Sequence, residues 1–243
     1  MPEYGVDLHN HTPIVTSDYR GSLATTPRDI VQAAVSAGLD VYGVTDHFTA
    51  DGVSAIAEAA EEVAQESGRR VLVLGGAELK VCANGDEAHV LAVFEATRAR
   101  GAFLDLVRGF GMEHPVAPTP DLPSIKLHAN PLEVCRAVEE LGGIALIGHA
   151  DRFFGEYRLI DSPMIDQLLA EPAVAAVELC HSVSHERLSG SVSPAVIACS
   201  DSHSCEEIGH RRSVVTMAEL SFAALVEAFA RHSAVPILGY ERC

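Results

Sequence analysis

Lysine is scarce in this 243-residue chain, which carries only Lys80 and Lys126 and has a formal net charge of −17 at pH 7. A protein that binds the phosphate backbone of nucleic acid over a broad surface needs clustered lysine and arginine. The charge therefore argues against nucleic acid as a partner. The formal net charge includes any acidic side chains that bind metal ions, and bound cations would neutralise part of that negative charge.

Paired cysteines and long apolar runs are missing as well. The six cysteines form no C-x-x-C pair, which argues against a cysteine-based zinc site and favours reduced thiols in a cytoplasmic protein. No run of about 20 apolar residues is present to form a transmembrane helix. Residues 1–4 lack the basic and apolar parts of a signal peptide. We therefore expect a cytoplasmic protein with no membrane partner.

Short apolar runs alternate with amphipathic segments along the chain. Strand candidates are residues 5–9, 41–45, 71–75, 89–94, 144–148, 175–179, 196–200, 213–217 and 235–238, and helix candidates include 26–38, 51–67, 130–141 and 221–231. This alternation predicts an α/β protein with a parallel sheet or barrel. The length fits a single domain over residues 1–243. Residues 98–130, with four prolines, are expected to form an irregular cap or loop over the functional site.

Two histidines, His9 and His11, end the first apolar run with one residue between them. Alternate residues of a β-strand point to the same face, so this spacing aims two imidazoles at one point and can supply half of a metal site. Asp201 and His203 repeat the spacing near the other end of the chain.

Further acidic and imidazole side chains lie at the boundaries of later strand candidates, namely Asp46, His47, Glu78, His89 and His149. Glu78 follows an apolar run, and a buried carboxylate without a partner or a metal is costly. In (β/α) barrels the C-terminal rim of the strands carries the chemistry, so we expect these groups to converge there. An open doubly wound sheet is the alternative, but it would not readily bring so many strand ends to one point. The pattern indicates a metalloenzyme.

The motifs around these residues resemble those of the polymerase and histidinol phosphatase (PHP) family of phosphoesterases. The segments that carry the resemblance are Asp7-Leu8-His9-Asn10-His11-Thr12, Gly38-Leu39-Asp40-Val41-Tyr42-Gly43-Val44-Thr45-Asp46-His47, Gly76-Ala77-Glu78, Glu87-Ala88-His89-Val90-Leu91, Gly148-His149-Ala150-Asp151-Arg152 and Ser200-Asp201-Ser202-His203. Together they cover most of the chain. The resemblance implies a distorted (β/α) barrel of seven strands, similar to a TIM barrel, with up to three divalent metals at the C-terminal rim.

The resemblance also implies which residues hold the metals. A first metal would be bound by His9, His11, Glu78 and Asp201, Glu78 would bridge to a second metal bound by His89 and His149, and a third would be bound by Asp18, His47 and His203. Asp18 is slightly displaced from the position that the family motif favours. Mixed histidine and carboxylate sites suit zinc, manganese and iron alike, so we expect two to three divalent ions of this kind.

The implied chemistry is phosphate ester hydrolysis. Two metals that share Glu78 would hold a bridging water and lower its pKa enough to form hydroxide, the nucleophile that attacks phosphorus. Arg152, three residues beyond His149, would bind the phosphate bidentately or form a structural salt bridge. Arg20 and Arg187 are further candidates to bind substrate.

Two other roles concern residues around the metals. Asp46 is expected to orient a ligand histidine from outside the metal shell. The leaving group would be protonated by His181, at the end of the apolar run 174–180, or by Asp201. The sequence does not distinguish these two residues.

The favoured function is hydrolysis of a small phosphate ester, either a phosphorylated metabolite or a nucleotide. A PHP-type nuclease or DNA-repair enzyme is one alternative, and the net charge and the missing basic face argue against it. A non-catalytic PHP regulatory module is another, and the full ligand set argues against it. An amidohydrolase would need a carbamylated lysine, and Lys80 is the one lysine near a suitable strand end. The choice between monoester and diester depends on loops outside the metal shell, and the sequence leaves it and the oligomeric state open.

Overall fold

The structure is a computed structural model that describes residues 1–83, 86–112, 122–153, 158–181, 184, 188 and 194–237. The strands are β1 (Glu3–Asp7), β2 (Val41–Val44), β3 (Leu72–Ala83), β4 (Asp86–Glu95), β5 (Ile144–Ile147), β6 (Val174–Glu178), β7 (Ala195–Ile197), β8 (Arg212–Thr216) and β9 (Ala234–Ile237). The helices are α1 (Pro27–Ser36), α2 (Val53–Ser67), α3 (Ala96–Gly109), α4 (Pro131–Glu140), α5 (Pro163–Ala170) and α6 (Phe222–Ala230). Among the described residues, no helix has the length and apolar character needed to cross a membrane.

Local sequence signals set the helix ends. Thr26 caps α1 by accepting from the backbone N–H of Asp29, whose side chain accepts from the backbone N–H of Thr26, and Pro27 takes the first helical position. Asn130 caps α4 in a similar way, with its side chain accepting from the backbone of the first turn. Gly38 follows α1 in the left-handed region, with φ 74°. The predicted starts of α1 and α4 are confirmed.

The strands of the described residues form one nine-stranded sheet in the order β7-β6-β5-β4-β3-β2-β1-β8-β9. The two outer strands, β7 and β9, contact each other, so the sheet nearly closes into a barrel. The predicted α/β barrel-like architecture is confirmed, but the expected number of seven strands is wrong. Each of the nine strands of the described residues overlaps one of the nine strand candidates, so the count of seven came from the family resemblance and not from the apolar runs. β8 pairs with the free side of β1 and β9 pairs with β8, both antiparallel.

The sheet is mixed, whereas a parallel one was predicted. β1, β2 and β3 run parallel to one another, as do β5, β6 and β7, but β4 is antiparallel to both of its neighbours. The start of an antiparallel strand lies at the same rim as the ends of its neighbours, and His89 in β4 accordingly pairs with Lys80 in β3. The expectation that every candidate follows the C-terminal end of a strand is therefore wrong for His89.

The position of Glu78 also differs from the prediction. The strand that was expected to end at residue 75 continues to Ala83, because β3 pairs with β4 along a ladder from Leu74 opposite Glu95 to Ala83 opposite Asp86. Glu78 consequently lies inside a strand, where its backbone is held on both sides and its side chain direction is set by the pleat.

Helix α3 occupies the first part of the segment that was expected to be irregular. Its buried side chains recur at helical spacing, a pattern that the sequence reading missed, and they are Ala99, Ala102, Phe103, Leu106 and Val107. The irregular cap that was predicted over residues 98–130 therefore begins beyond α3. Residues 113–121 of that predicted cap lie outside the described residues.

The interior of the barrel is apolar at one end and polar at the other. Along β3, Leu74 belongs to an inner apolar cluster that includes residues of α6, and Glu78 lies on the same face four residues further on. Along β6, Ala176 and Glu178 show the same order. A second apolar cluster packs the other faces of the strands against α1 to α5. The polar ends meet at one rim, where the candidate site forms.

Candidate metal centre

Glu78 lies at the centre of a buried cluster of histidines, with its side chain 1% exposed. Its Oε1 is 2.5 Å from Nδ1 of His89 and 3.1 Å from Nε2 of His149. Its Oε2 is 3.3 Å from Nε2 of His9 and 3.4 Å from Nε2 of His11. The two carboxylate oxygens thus face two different groups of histidines.

Asp201 contacts His9 and His11, which also lie near Oε2 of Glu78. Its Oδ1 is 3.2 Å from Nε2 of His11 and 3.4 Å from Nε2 of His9. Its other oxygen, Oδ2, accepts from Nη1 of Arg152. Asp201 therefore links the histidine cluster to a cation.

Asp18 lies at the centre of a third group. Its Oδ2 is 3.0 Å from Nε2 of His203, 3.4 Å from Nε2 of His47 and 3.6 Å from Nδ1 of His11. Nδ1 of His47 is also 3.1 Å from Oε2 of Glu78, which connects this group to the rest. Asp18, although displaced in sequence, thus lies beside the two histidines that were expected to accompany it.

The structure brings the nine predicted metal ligands into one continuous cluster. The groups of three whose ligand atoms all lie within 4.8 Å of one another are His9–His149–Asp201, His9–His11–Glu78, His11–Asp18–His47, His11–Asp201–His203 and Glu78–His89–His149. Glu78 belongs to two of these groups, as the predicted bridging position requires. The groups differ from the predicted sets in three residues. His11 also joins Asp18 and His47, His149 also joins His9 and Asp201, and His203 joins His11 and Asp201.

Buried ring nitrogens without hydrogen bonds test whether the cluster fits a metal. Buried polar atoms are normally hydrogen-bonded, because removing them from water without a partner is costly. Among the described residues, Nε2 of His9, Nδ1 of His11 and Nδ1 of His47 are buried and have no hydrogen-bond partner. Imidazole nitrogens and carboxylate oxygens are ligands for zinc, manganese and iron. The cluster therefore fits divalent metal ions.

The backbone is strained at positions in and next to this cluster. His149 has φ 27° and Asp201 has φ 51°, and Phe48, which follows His47, has φ 48°. Positive φ is uncommon for residues other than glycine, and such strain is found most often at functional sites. The surrounding tertiary structure therefore holds these side chains in directions that the local sequence does not favour.

Glu178 is a buried carboxylate of the site that the sequence reading missed. Its Oε2 accepts from Nδ1 of His9 at 2.8 Å and from the backbone N–H of His149 at 3.2 Å. Burial alone would lower the pKa of His9, but the charges of Glu178, Glu78 and Asp201 outweigh it and raise that pKa well above its ordinary value. A carboxylate bonded to Nδ1 orients the ring so that Nε2 points to the metal. The signal was available, because Glu178 is the one charged residue inside the apolar run 174–180, and a carboxylate buried in such a run needs a partner.

We expect the substitution Glu178→Gln to lower metal affinity by roughly 10–100-fold, the usual cost of losing such an outer carboxylate. Glutamine keeps the shape but no longer carries the negative charge that favours the proton on Nδ1 of His9. Competition with a chromophoric chelator would measure the affinity. The matched control is Glu171→Gln, which removes a buried carboxylate paired with Arg136 on α4. Equal affinities of the Glu178 variant and the unmodified protein would contradict the assignment.

Asp46 is buried and binds the residue that follows His11. Its two oxygens accept from the backbone N–H of Thr12 at 2.6 Å and from the hydroxyl of Thr12 at 2.7 Å. Burial raises the pKa of Asp46 to about 6, although His11 and the bonds from Thr12 counteract it. The carboxylate thus fixes the loop that follows His11, and the expected role of Asp46 in orienting a ligand histidine stays a prediction.

A cavity of about 340 Å³ opens onto the cluster. The cationic side chains in its described wall are Arg20, Lys80 and Arg152. Arg152 forms the salt bridge with Asp201 that was one of its two predicted roles, and Nη1 of Arg20 is 3.6 Å from Glu207. Lys80 was considered only for an amidohydrolase, and its place in the wall makes it a further candidate to bind an anion.

Two candidates remain, His181 and Arg187. His181 follows β6, and its backbone N–H donates to Oδ2 of Asp151 at 2.9 Å. The described wall of the cavity does not include His181. Arg187, predicted as a substrate-binding cation, lies outside the described residues.

Comparison with known proteins identifies a family to which the sequence matches and several solved structures with a similar fold. The model of the PHP domain family matches residues 7–196, whereas no curated protein matches the sequence. A two-domain protein from Bacteroides vulgatus, which contains a predicted PHP-like metal-dependent phosphoesterase, superposes with a TM-score of 0.62 at 15% identity, over 98% of this chain and 65% of that one.

Two further solved structures share the fold. The lesion-specific endonuclease from Pyrococcus furiosus gives a TM-score of 0.61 at 14% identity, over 95% of this chain and 56% of that one. An amidohydrolase from Chromobacterium violaceum, with sulfate bound and no metal, gives 0.55 at 19% identity, over 92% of this chain and 96% of that one. The chain spans less than two thirds of the Bacteroides and Pyrococcus proteins, and identities this low establish likeness of fold.

Proposed function

The chain belongs to the PHP domain family, and from this premise we propose that it is a metal-dependent phosphoesterase that hydrolyses small phosphate esters. The family resemblance of the sequence motifs is confirmed by the match over residues 7–196. The observation that carries the proposal is the position of Glu78, whose two oxygens face two separate groups of histidines. A carboxylate in that position can be shared by two ions.

The proposed ligands are the nine residues of the cluster. Two to three divalent ions, when bound, supply Lewis acidity that activates water and neutralises charge on the phosphoryl oxygens. Within the chain, Glu78 spans the two groups of histidines, and Glu178 keeps the proton on Nδ1 of His9 so that Nε2 is available. Asp18 lies between His47 and His203 and forms the third group with them.

Arg152 is proposed to act as a partner of both Asp201 and the substrate. A guanidinium has five N–H donors, and the salt bridge to Asp201 is made through Nη1. Because Arg152 also lines the cavity, its remaining donors are placed to bind a phosphoryl oxygen. We propose Arg20 and Lys80 as weaker contributors to the same positive wall.

The pKa of Asp201 bears on the proton donor for the leaving group. Burial would raise this pKa, but His9, His11 and His149 outweigh it and hold it well below its ordinary value. A carboxyl group that is ionised near neutral pH has no proton to donate. Of the two predicted donors we therefore propose His181, which follows β6 outside the described wall of the cavity and whose backbone N–H donates to Asp151.

The substrate is proposed to be small because of charge and size. A net charge of −17 gives little electrostatic gain for a long polyanion, so binding depends on the local cluster and its cations. The cavity of about 340 Å³ is of the size that small-molecule sites have.

We expect the metal-loaded protein to release phosphate from small phosphate esters and to leave duplex DNA intact. A panel of monoesters with phosphate release as the readout, a panel of diesters with release of the alcohol as the readout, and a gel assay with single- and double-stranded DNA in manganese would measure these activities. The variant Glu78→Gln serves as the control for contaminating enzymes. Glu78-dependent cleavage of DNA at higher rates than of small esters would instead establish the nuclease alternative.

A further inference from the structure

One exposed aromatic side chain stands at the mouth of the metal cavity. Phe153 lines the cavity beside Arg152 and is 61% exposed. Among the described residues, no other exposed large apolar side chain lines this cavity. Burying a phenyl ring is favourable, and aromatic residues make up only 5% of the chain. An exposed ring at this position is therefore a candidate contact for substrate.

Phe153 is held from one side by a charged pair. The guanidinium of Arg158 lies over the ring, with Cζ 4.5 Å from the ring centroid, in a cation–π arrangement. Arg158 is in turn fixed by Asp161, whose Oδ2 is 2.7 Å from Nε and 2.6 Å from Nη2. Arg158 thus covers one face of the ring. The surface of Phe153 that stays exposed is the part that Arg158 does not cover.

We propose that Phe153 is a stacking platform for a planar aromatic ring in the alcohol part of the substrate. The inference rests on the proposed function, because it requires the phosphoryl group of the substrate to lie at the metal cluster. Arg152 pairs with Asp201 of that cluster, and Phe153 is the next residue in the chain and lines the same cavity. Consecutive residues therefore contact the phosphate end and the ring end. The substrate class is a phosphate ester with a planar ring close to the ester oxygen.

A pair of substrates that differ in planarity tests the platform. Benzyl phosphate and cyclohexylmethyl phosphate are esters of primary alcohols with rings of similar size, so ring planarity is their main difference. We expect the metal-loaded protein to prefer benzyl phosphate by about tenfold in kcat/KM, within the range that ring stacking on an aromatic side chain provides. No preference would overturn the proposal.

Substitutions at Phe153 test whether this residue causes the preference for benzyl phosphate. Phe153→Leu keeps an apolar side chain without a planar face and should bring the ratio of the two kcat/KM values close to one. Phe153→Trp should keep the preference. The control is Val235→Ala, which removes another exposed apolar side chain on β9 and should leave the ratio as it is. A preference that persists in Phe153→Leu would assign ring recognition to another residue and overturn the proposal.

A binding measurement separates this inference from the proposed function. Benzylphosphonate and cyclohexylmethylphosphonate cannot be hydrolysed at the P–C bond by this chemistry, and calorimetry on the metal-loaded protein gives their affinities. If no ester is hydrolysed but benzylphosphonate binds more tightly and Phe153→Leu removes the difference, the platform stands and the proposed function fails. If esters are hydrolysed and the two phosphonates bind equally well, the platform fails and the proposed function stands.

Discussion

Replacing Glu78 by glutamine should lower kcat/KM for phosphate ester hydrolysis by roughly a thousandfold or more, equivalent to about 4 kcal/mol of lost transition-state stabilisation. Glutamine has the same shape, but it is neutral, and its NH₂ group is a donor where a ligand oxygen is required. The side chain that faces His89 and His149 with one oxygen and His9 and His11 with the other would no longer join the two groups. Steady-state kinetics in excess metal would measure the loss.

The control for this substitution is Glu95→Gln, which makes the same chemical change at the exposed end of β4. We expect the control to retain full activity. Elemental analysis of both variants would show whether Glu78→Gln also holds fewer ions per chain. Kinetics of the Glu78 variant within tenfold of the unmodified protein would rule out a shared ligand at this position.

Removing the two to three metals with a chelator should abolish hydrolysis and lower the Tm by roughly 10–30 °C. Ions present at about 100 times their dissociation constant add about 2.7 kcal/mol of stability for each site, and 1 kcal/mol shifts the Tm of a domain of this size by roughly 2–4 °C. The metal-free chain should stay folded, because the carboxylates and histidines of the cluster form ion pairs with one another. Thermal unfolding before and after dialysis against chelator would measure the shift.

Re-addition of zinc, manganese or ferrous iron should restore both the activity and the Tm, and the ion that does so at the lowest concentration identifies the preferred metal. Magnesium is a useful contrast, because it favours oxygen ligands over imidazole. Fewer than one metal ion per chain after supplementation, with an unchanged Tm, would contradict the metal centre.

Much of the candidate site was predictable from local spacing. His9 and His11 lie one residue apart after an apolar run, and such spacing places two side chains on one face without knowledge of the rest of the fold. Thr26 and Asn130 were recognisable as helix caps for the same reason, because a cap depends on three or four consecutive residues. Ligand types and helix starts are local properties, and a sequence displays them directly.

Strand direction was not predictable in the same way. The antiparallel course of β4 follows from its ladder with β3, and the sequence pattern of a buried strand is much the same in either direction. His89 was expected at the rim, but only the antiparallel course of β4 explains how a residue near the start of its strand lies there, next to Glu78. The apolar runs indicated nine strand candidates, but the sequence could not show that β8 pairs with β1, because this pairing joins opposite ends of the chain.

By itself, the sequence determined which chemical groups are available: paired histidines, carboxylates next to apolar runs, few lysines and a strongly negative charge. The tertiary structure decided which groups meet. Glu178 reaches His9 across 169 residues of sequence, Asp46 binds Thr12, and Arg152 pairs with Asp201. The physical reason is that hydrogen bonds and ion pairs act over a few ångströms in space, so long-range partners exist only once the barrel has nearly closed and brought distant strand ends to one rim.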